Sequence, residues 1–320
     1  MRDEAVDVVV VGGGAAGLSA GLMLARARRT VVVVDAGAPR NAPAAGVHGL
    51  LGHDGVPPAE LLDRGREEVR RYGGRVEQGE VESAYRAGDG FAVRLADGRT
   101  LEARRLLVTT GLVDVLPDVP GLQERWGRDV VHCPYCHGWE VRDQRIAVLA
   151  GSPMSVHQAL LFSQWSGDVT YVSHAGAPDA DQREQLAARG IRVVEDRVAE
   201  VLVTDDRITG LRLAGGGAVE CDVVTVASRM VARAGFLADL GLKTEEHPSG
   251  MGEHLPVDAT GRTTVPGVWA AGNVADLSAQ VGGAAAAGAM AAAHINGDLV
   301  MAETGEAVAA LRRDQPSLRP

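Results

Sequence analysis

Two cysteines separated by two residues, Cys133 and Cys136, are flanked directly by His132 and His137. A Cys-x-x-Cys pair can store two electrons as a disulfide, and a neighbouring imidazole favours the thiolate that carries out thiol–disulfide exchange. The third cysteine of the chain, Cys221, is far away in sequence, so the cysteines do not form a disulfide scaffold. The pair therefore predicts a redox site, and such a site needs an electron partner elsewhere in the protein.

The same four side chains could instead ligate zinc, because Cys and His are the usual zinc ligands. Four ligands within six residues cannot easily surround one tetrahedral ion, and the sequence has no second ligand cluster. We therefore expect no metal site. Tyr135 and Trp139 are expected to pack around the pair, and Cys221, in an apolar segment, is expected to be inert core.

A dinucleotide-binding fingerprint opens the chain. An apolar run over residues 6–11 is followed by Gly12, Gly14 and Gly17, a helical pattern to about residue 28, and a second apolar run that ends in Asp35. Glycines at this spacing allow a tight turn, the approach of a pyrophosphate to backbone N–H groups, and close helix packing. Asp35 stands where a ribose hydroxyl requires an acceptor. These residues predict a dinucleotide site.

The same order of elements recurs from residue 146, which indicates an internal duplication, but the second copy lacks the fingerprint. Serine side chains in its loop would crowd a bound pyrophosphate. No cluster of arginines follows the next strand to hold a 2′-phosphate. We therefore expect no tight binding of NAD(P)H. The positions that align between the copies are Ala150 with Gly12, Ser152 with Gly14, Ser155 with Gly17 and Ser173 with Asp35.

Composition is that of an ordinary globular protein with room for two domains: 320 residues, 46% of them hydrophobic and 41 of them glycine. The formal net charge of −10 argues against nucleic acid as a partner. The N-terminus predicts neither a signal peptide nor a membrane span, and no apolar run reaches the roughly 18 residues that a spanning helix needs. We expect a cytoplasmic protein, where a Cys-x-x-Cys pair is catalytic or metal-binding more often than a structural disulfide.

In their order along the chain, these parts resemble the low-molecular-weight thioredoxin reductases, a family of two-domain flavoproteins. The shared motifs are the fingerprint, the strand end Thr109-Thr110-Gly111, the cysteine pair, and the turn Ala270-Ala271-Gly272-Asn273. The resemblance implies an α/β fold of two Rossmann-like, doubly wound, three-layer domains, with the second inserted into the first. It implies an FAD-binding domain over 1–117 plus 246–320, a domain over 118–245 that carries the redox pair, and a homodimer.

By the same resemblance, FAD is the cofactor and its contacts transfer position by position. Asn273 stands where the family usually has an Asp on the ribityl chain, and an amide still supplies a hydrogen bond. Asp276 could orient a histidine, although helix capping explains it equally well. The implied cofactor-binding residues are Gly12, Gly14, Ala15 and Ala16 at the pyrophosphate, Asp35 at the adenosine ribose, Arg40, Asn41, His48, Val81 and Gly111 along the cofactor, and Gly272, Asn273 and Val281 at the ribityl chain and the flavin.

Two departures from the reductases indicate a subgroup. The nicotinamide-using enzymes have a glycine loop and an Arg pair in the second domain and usually an Asp after the second cysteine, where this chain has His137. Both departures resemble the FAD-dependent dithiol oxidases that close the disulfides of holomycin-type and gliotoxin-type natural products and pass the electrons to O2, giving H2O2. The resemblance then implies that Cys133 meets the dithiol substrate, that Cys136 lies next to the flavin, and that His137, with His132 second, is the acid/base.

Two other functions stay open on the sequence. One is a disulfide reductase of the same fold that is fed by ferredoxin or another reduced flavin and acts on thioredoxin or a small disulfide. The other is a flavin-bound redox sensor without turnover. The sequence does not name the dithiol. Because no nicotinamide has to be admitted, we also expect that the second domain need not rotate between two orientations.

Overall fold

The computed structural model describes residues 5–314, which form seven α-helices and four β-sheets. The helices are α1 Ala15–Arg26, α2 Pro58–Arg71, α3 Leu122–Arg125, α4 Pro134–His137, α5 Ser155–Phe162, α6 Ala180–Ala188 and α7 Val281–Asp314, and two 3₁₀-helices span Gly235–Leu240 and Gly272–Val274. The strands of the first sheet are β1 Val6–Val11, β2 Val31–Asp35, β3 Arg75–Gln78, β4 Val81–Ala87, β5 Gly90–Leu95, β6 Thr100–Val108 and β19 Val268–Ala270. The others are β7 Leu112–Val115, β8 Val130–Val131, β9 Ile146–Leu149, β10 Val169–Val172, β11 Arg192–Val194, β12 Val198–Thr204, β13 Arg207–Leu213, β14 Ala218–Glu220, β15 Val223–Val226, β16 Arg229–Ala232, β17 Glu245–Glu246 and β18 Gly252–His254.

The first sheet has the order β3-β2-β1-β6-β5-β4, with β19 also paired to β6. Strand β1 is an unbroken run of apolar residues from Val8, because it lies between two layers and is buried on both faces. Val8 and Val10 pack in the core that includes residues of α1 and α7, while Val9 and Val11 pack in the core under the β4–β5 hairpin. Helices, parallel sheet and antiparallel hairpin therefore make three layers.

The second sheet repeats this arrangement with the order β11-β10-β9-β15-β8, all parallel. Ile146 and Val148 of β9 pack in the core that includes residues of α5 and α6, and Ala147 and Leu149 pack in the core that includes residues of the β12-β13-β14 sheet. The same layer order in both halves confirms the predicted α/β fold with two Rossmann-like, three-layer domains.

A small sheet of the order β17-β18-β16-β7 joins the chain segments that connect the two large sheets. Residues before the predicted boundary at 245/246 also take part in the first core: Leu237 and Leu242 pack there together with Phe91 of β5. The boundaries at 117/118 and 245/246 stay a prediction.

Helix α7 lies close against α1, and small residues make the approach possible. A Cβ at Gly288 would collide with the backbone carbonyl of Ala16. Helix α7 runs through Asp314, and its residue Glu303 accepts hydrogen bonds from Arg29 and Arg104. Residues 315–320 lie outside the described residues. No helix within 5–314 is long and apolar enough to cross a membrane.

Candidate active site

One cavity of about 1440 Å³ runs from the fingerprint loop to the cysteine pair. This volume exceeds the roughly 300–1,000 Å³ of pockets that bind drug-sized ligands. A dinucleotide is larger than such ligands and needs a cavity of this size. Asp276 is not among its lining residues. The lining includes every other predicted site residue: Gly12, Gly14, Ala15, Ala16, Asp35, Arg40, Asn41, His48, Val81, Gly111, Gly272, Asn273, Val281, His132, Cys133, Cys136 and His137.

Each glycine of the fingerprint is needed for a different physical reason. Gly12 has φ +109°, and a Cβ there would collide with the carbonyl of Thr109. A Cβ at Gly17 would collide with the carbonyl of Gly12 and would lie 2.7 Å from Thr109 Oγ1. At these two positions a side chain would collide with the protein's own backbone, so glycine is needed for the close packing of strand and helix.

Gly14 differs because a Cβ there would meet no atom within 4 Å. The residue is the N-cap of α1, and within residues 5–314 no side chain caps this helix end. The first N–H groups of a helix have no intrahelical acceptor and attract anions. The loop thus leaves open space and free donors where a pyrophosphate would lie, so the residues fit FAD.

Asp35 is held in place at the end of β2. Its carboxylate accepts from Arg66 Nη2 at 2.8 Å and from the backbone N–H of Gly37 at 3.0 Å. A Cβ on Gly13 would lie 2.6 Å from Asp35 Oδ2, so the loop passes directly over the carboxylate. Sequence reasoning missed Arg66, because it lies 31 residues from Asp35 on a different element.

Arg40 lines the cavity, but its guanidinium is bound to Asp114 by two hydrogen bonds of 2.7 Å. Ser228 Oγ donates to the same carboxylate at 2.7 Å. Burial by itself would raise the pKa of Asp114, but the hydrogen bond and charge of Arg40 outweigh it and hold that pKa below its usual range. The cluster ties the Arg40 loop to β7 and β16, and no spacing in the sequence indicated it.

The turn at the start of α7 orders itself through side-chain bonds. Asn273 Nδ2 donates to the carbonyls of Asp276 at 3.0 Å and Ala279 at 2.8 Å. The Asp276 carboxylate accepts from both the N–H and the hydroxyl of Ser278. These bonds shape the loop that carries Gly272 and Asn273 at the cavity wall, and the role of Asp276 toward a histidine stays a prediction.

The redox pair is present as a disulfide with a Cα–Cα distance of 5.2 Å, within the usual range. Cys133 is the N-cap of the short helix α4, and its carbonyl accepts from the N–H groups of Cys136 and His137. Both cysteines line the cavity. The disulfide therefore faces the space that the fingerprint loop opens onto.

His132 lies half-buried beside the pair, and its Nδ1 is 3.2 Å from the carbonyl of Val226. A carbonyl can only accept, so Nδ1 carries the proton and the neutral ring has its lone pair on Nε2. Burial, with a smaller contribution from Arg40, lowers the pKa of His132. Near neutral pH this imidazole is a proton acceptor.

His137 is also mostly buried, and burial lowers its pKa, while the charge of Glu140 acts in the opposite direction. Its Nδ1 is buried and has no hydrogen-bond partner among the described residues. Glu140 Oε1 in turn lies 3.4 Å from His48 Nε2, a contact between the redox segment and the loop after Arg40. Both histidines line the cavity, and their lowered pKa values leave both neutral near pH 7.

The loop of the second domain keeps one backbone hydrogen bond of the first loop. The N–H of Ala150 donates to the carbonyl of Val172, as the N–H of Gly12 donates to the carbonyl of Val34. Its donors, however, are used internally. Ser155 Oγ accepts from the N–H groups of Gly151 and Ser152, both at 3.2 Å.

Ser152 Oγ accepts in turn from the N–H of Met154 at 3.1 Å. The side chains that replace the glycines thus occupy the amides that would otherwise bind a pyrophosphate.

Two further predictions concern groups away from the redox chemistry. Cys221 is buried, and burial raises the pKa of its thiol to about 12, so it is unreactive as expected. Tyr135 and Trp139, predicted to pack around the pair, instead leave 62% and 65% of their surface exposed. Within residues 5–314, no group of three or more His, Cys, Asp or Glu side chains is placed to hold a metal ion.

Known proteins are similar to this chain in sequence and in fold. The family model described as pyridine nucleotide-disulphide oxidoreductase matches residues 6–294. The thioredoxin reductase tcpT of Claviceps purpurea is 33% identical over 92% of this chain and 95% of its own length. The crystal structure of HlmI is 46% identical with a TM-score of 0.92 and covers 98% of both chains. An oxidoreductase from Agrobacterium tumefaciens is 37% identical with a TM-score of 0.87, over 93% of this chain and 99% of that one.

Proposed function

Because the chain belongs to the pyridine nucleotide-disulphide oxidoreductase family, whose thioredoxin reductase-type members are redox enzymes that bind FAD, we propose that it is an FAD-dependent dithiol oxidase. Its substrate is a small natural-product dithiol, its acceptor is O2 and its products are a disulfide and H2O2. One observation carries the proposal: the disulfide opens into the FAD cavity, while the loop that would bind nicotinamide is closed by its own serines. Thiols then have a route to the flavin and NAD(P)H has none.

The thiol–disulfide exchange steps need only the two cysteines and one histidine of this chain. One substrate thiol loses its proton to His137 and attacks Sγ of Cys133, which breaks the bond to Cys136 and releases a thiolate. The second substrate thiol then attacks the substrate sulfur of the mixed disulfide, so Cys133 leaves as the second thiol. The substrate has lost two electrons and two protons. FAD, held by the cavity-lining residues, would supply the two-electron acceptor for the reduced pair, with O2 as the final acceptor and H2O2 as its product.

The two histidines support this direction. Both line the cavity beside the pair with lowered pKa values, so both are neutral near pH 7. Formation of a substrate thiolate needs a neutral base of this kind. We assign the acid/base role to His137 and the second place to His132, and we keep the thirteen cavity-lining positions, Gly12 to Val281, as the FAD contacts.

The proposal includes a homodimer in the cytoplasm. Exposed apolar side chains on α7 support an association surface, since Met290, Val300 and Met301 leave 58%, 45% and 70% of their surface exposed. A surface helix normally turns such residues inward.

A disulfide reductase is the second candidate, because relatives such as the Claviceps purpurea protein are named thioredoxin reductases. In that case another donor, such as reduced ferredoxin, would fill the role of nicotinamide. The two candidates use Cys133 and Cys136 in opposite directions.

The test is aerobic turnover of the purified flavoprotein with dithiothreitol. We expect O2 uptake, with one H2O2 formed for each disulfide, and loss of turnover in Cys136→Ser. Flavin that stays oxidised and O2 that is not consumed would contradict the oxidase. Reduction of a small disulfide by the same protein with reduced ferredoxin would favour the reductase.

A further inference from the structure

Aromatic residues are scarce in this protein, yet the two most exposed ones lie beside the redox pair. The chain has four Trp, four Tyr and three Phe. Tyr135, between the two cysteines, and Trp139 are 62% and 65% exposed, and the next are Tyr72 and Tyr85 at 43% and 38%. Exposed aromatic side chains bury large areas when a partner covers them, so they mark binding surfaces.

Tyr135 also forms one wall of a second concavity of about 730 Å³, between α4, α5 and α6. Tyr135 and Leu161 line both this groove and the cavity that holds the disulfide. The two spaces therefore adjoin at these two side chains. A ligand seated in the groove contacts Tyr135, the residue between Cys133 and Pro134 on one side and Cys136 on the other.

The aromatic wall is held in place. Tyr135 meets Trp165 edge to face, with ring centroids 6.0 Å apart at 88°. Gly138 makes this possible, since a Cβ there would lie 2.7 Å from the ring of Trp165. Trp165 contacts Phe162 on its other side. A wall of rings fixed in this way is preorganised for a flat ligand.

The remaining lining indicates the polarity of the ligand. Leu160 and Leu161 are apolar, Gln164 and Gln185 offer neutral amides, and the charged group is Arg189. The Arg189 guanidinium donates to Ser163 Oγ at 3.0 and 3.2 Å, and no carboxylate belongs to the lining within the described residues. Apolar walls with a few amide groups and one guanidinium suit a compact ring system that carries carbonyl or hydroxyl groups as hydrogen-bond acceptors.

We propose that this groove binds the ring-bearing body of the dithiol substrate and directs its thiols past Tyr135 to the cysteine pair. The inference rests on the proposed dithiol oxidase function and names where the part of the substrate that does not react is recognised. A volume of about 730 Å³ lies within the range of small-ligand pockets.

The experiment compares two dithiols that differ in their ring. It measures kcat/KM for 1,2-benzenedimethanethiol and for dithiothreitol and takes their ratio. We expect the ratio to fall about tenfold in Tyr135→Ala, which removes the aromatic wall, and to persist in Tyr135→Phe, which keeps it. Ala188→Trp, which fills the groove from the exposed side of α6, should lower the ratio in a protein whose redox segment is unchanged. Tyr85→Ala, an exposed tyrosine on β4, is the matched control and should leave it unchanged.

The outcomes separate this inference from the function beneath it. A ratio unchanged in both Tyr135→Ala and Ala188→Trp, with both dithiols oxidised, would overturn the groove and keep the oxidase. A wild-type protein that oxidises neither dithiol would overturn both. Loss of oxidation of reduced thioredoxin in these variants, with the ratio of the small dithiols unchanged, would assign the groove to a protein and overturn the proposal.

Discussion

The two strand–loop–helix units of this protein share a backbone and differ in what their loops leave free. In the first, Gly14 presents open space and an uncapped helix start to a large cavity. In the second, Ser152 and Ser155 turn their hydroxyls onto the loop amides. The first loop is therefore built to receive an anion, and the second satisfies itself.

The difference shows how a duplicated domain can lose one function and keep another. The second unit still packs a parallel sheet between two layers, so its residues continue to serve as a scaffold. What it now positions is the redox segment, since β8 at Val130–Val131 leads directly into His132 and Cys133. In the function proposed here, nucleotide binding is lost at the loop of Ser152 and Ser155 while the fold of the domain is kept.

The largest effect is expected on FAD affinity, from a substitution in the first loop. Gly14→Glu should fold, because a Cβ there meets no atom within 4 Å and an acid at a helix N-terminus is favourable. Its carboxylate would face the pyrophosphate, and two unit charges about 4 Å apart repel by roughly 4 kcal/mol at an effective dielectric constant near 20. We expect FAD affinity to fall about 10³-fold, measured by flavin titration of the apoprotein.

The matched substitution in the second loop is Ser152→Glu. It should leave FAD affinity within about twofold, because that loop binds no dinucleotide in our account. Equal losses in the two variants would mean that the loops do not differ in the way described.

The next effect concerns what the second domain supplies in place of a nucleotide site. His137→Ala should slow flavin reduction by dithiothreitol about 10²-fold, the lower range for loss of a general base. Because burial lowers the pKa of His137 from 6.5, the wild-type rate should stay high down to a pH below 6.5 and then fall as the imidazole gains its proton. This acid limb should disappear in the variant, as anaerobic stopped-flow rates across pH would show.

His157→Ala, on the exposed side of α5, is the control and should keep both the rate and the limb. An acid limb that survives in His137→Ala but is lost in His132→Ala would reverse the order of the two histidines.

The smallest effect tests whether the second loop is structural. Ser155→Ala removes the acceptor of two backbone N–H groups in a fully buried position. We expect a loss of about 1–2 kcal/mol in the free energy of unfolding, measured with urea, and an unchanged flavin spectrum. Ser152→Ala, which frees one N–H group, should cost less. Unchanged stability in both variants would show that the hydroxyls do not satisfy the loop.

The features of this protein that could be predicted from its sequence are those that depend on local sequence patterns. The glycine spacing around Gly14, the acid at Asp35 and the cysteine pair each depend on neighbours within a few residues, and the duplication was visible as a repeated order of strands and helices. The resemblance extended this to the cavity lining, which the structure gathers around one space.

The groups that the sequence did not show depend on distant partners. Arg66 reaches Asp35 across 31 residues, and Arg40 pairs with Asp114 across 74. Nothing in local spacing marks such pairs, because tertiary packing alone brings them together. The exposure of Tyr135 has the same origin, since it depends on where Trp165 lies. Glu140 differs from these groups because it lies only three residues after His137, a spacing at which side chains on a helix are neighbours.

The central claim is that electrons enter this protein from thiols and not from nicotinamide. The most direct measurement is anaerobic flavin absorbance after addition of NADPH or NADH in one cuvette and dithiothreitol in another. We expect the dithiol to bleach the flavin within seconds to minutes, with H2O2 formed on admission of air, and the nicotinamides to leave it oxidised. Rapid bleaching by NADPH or NADH would contradict the account of the second loop.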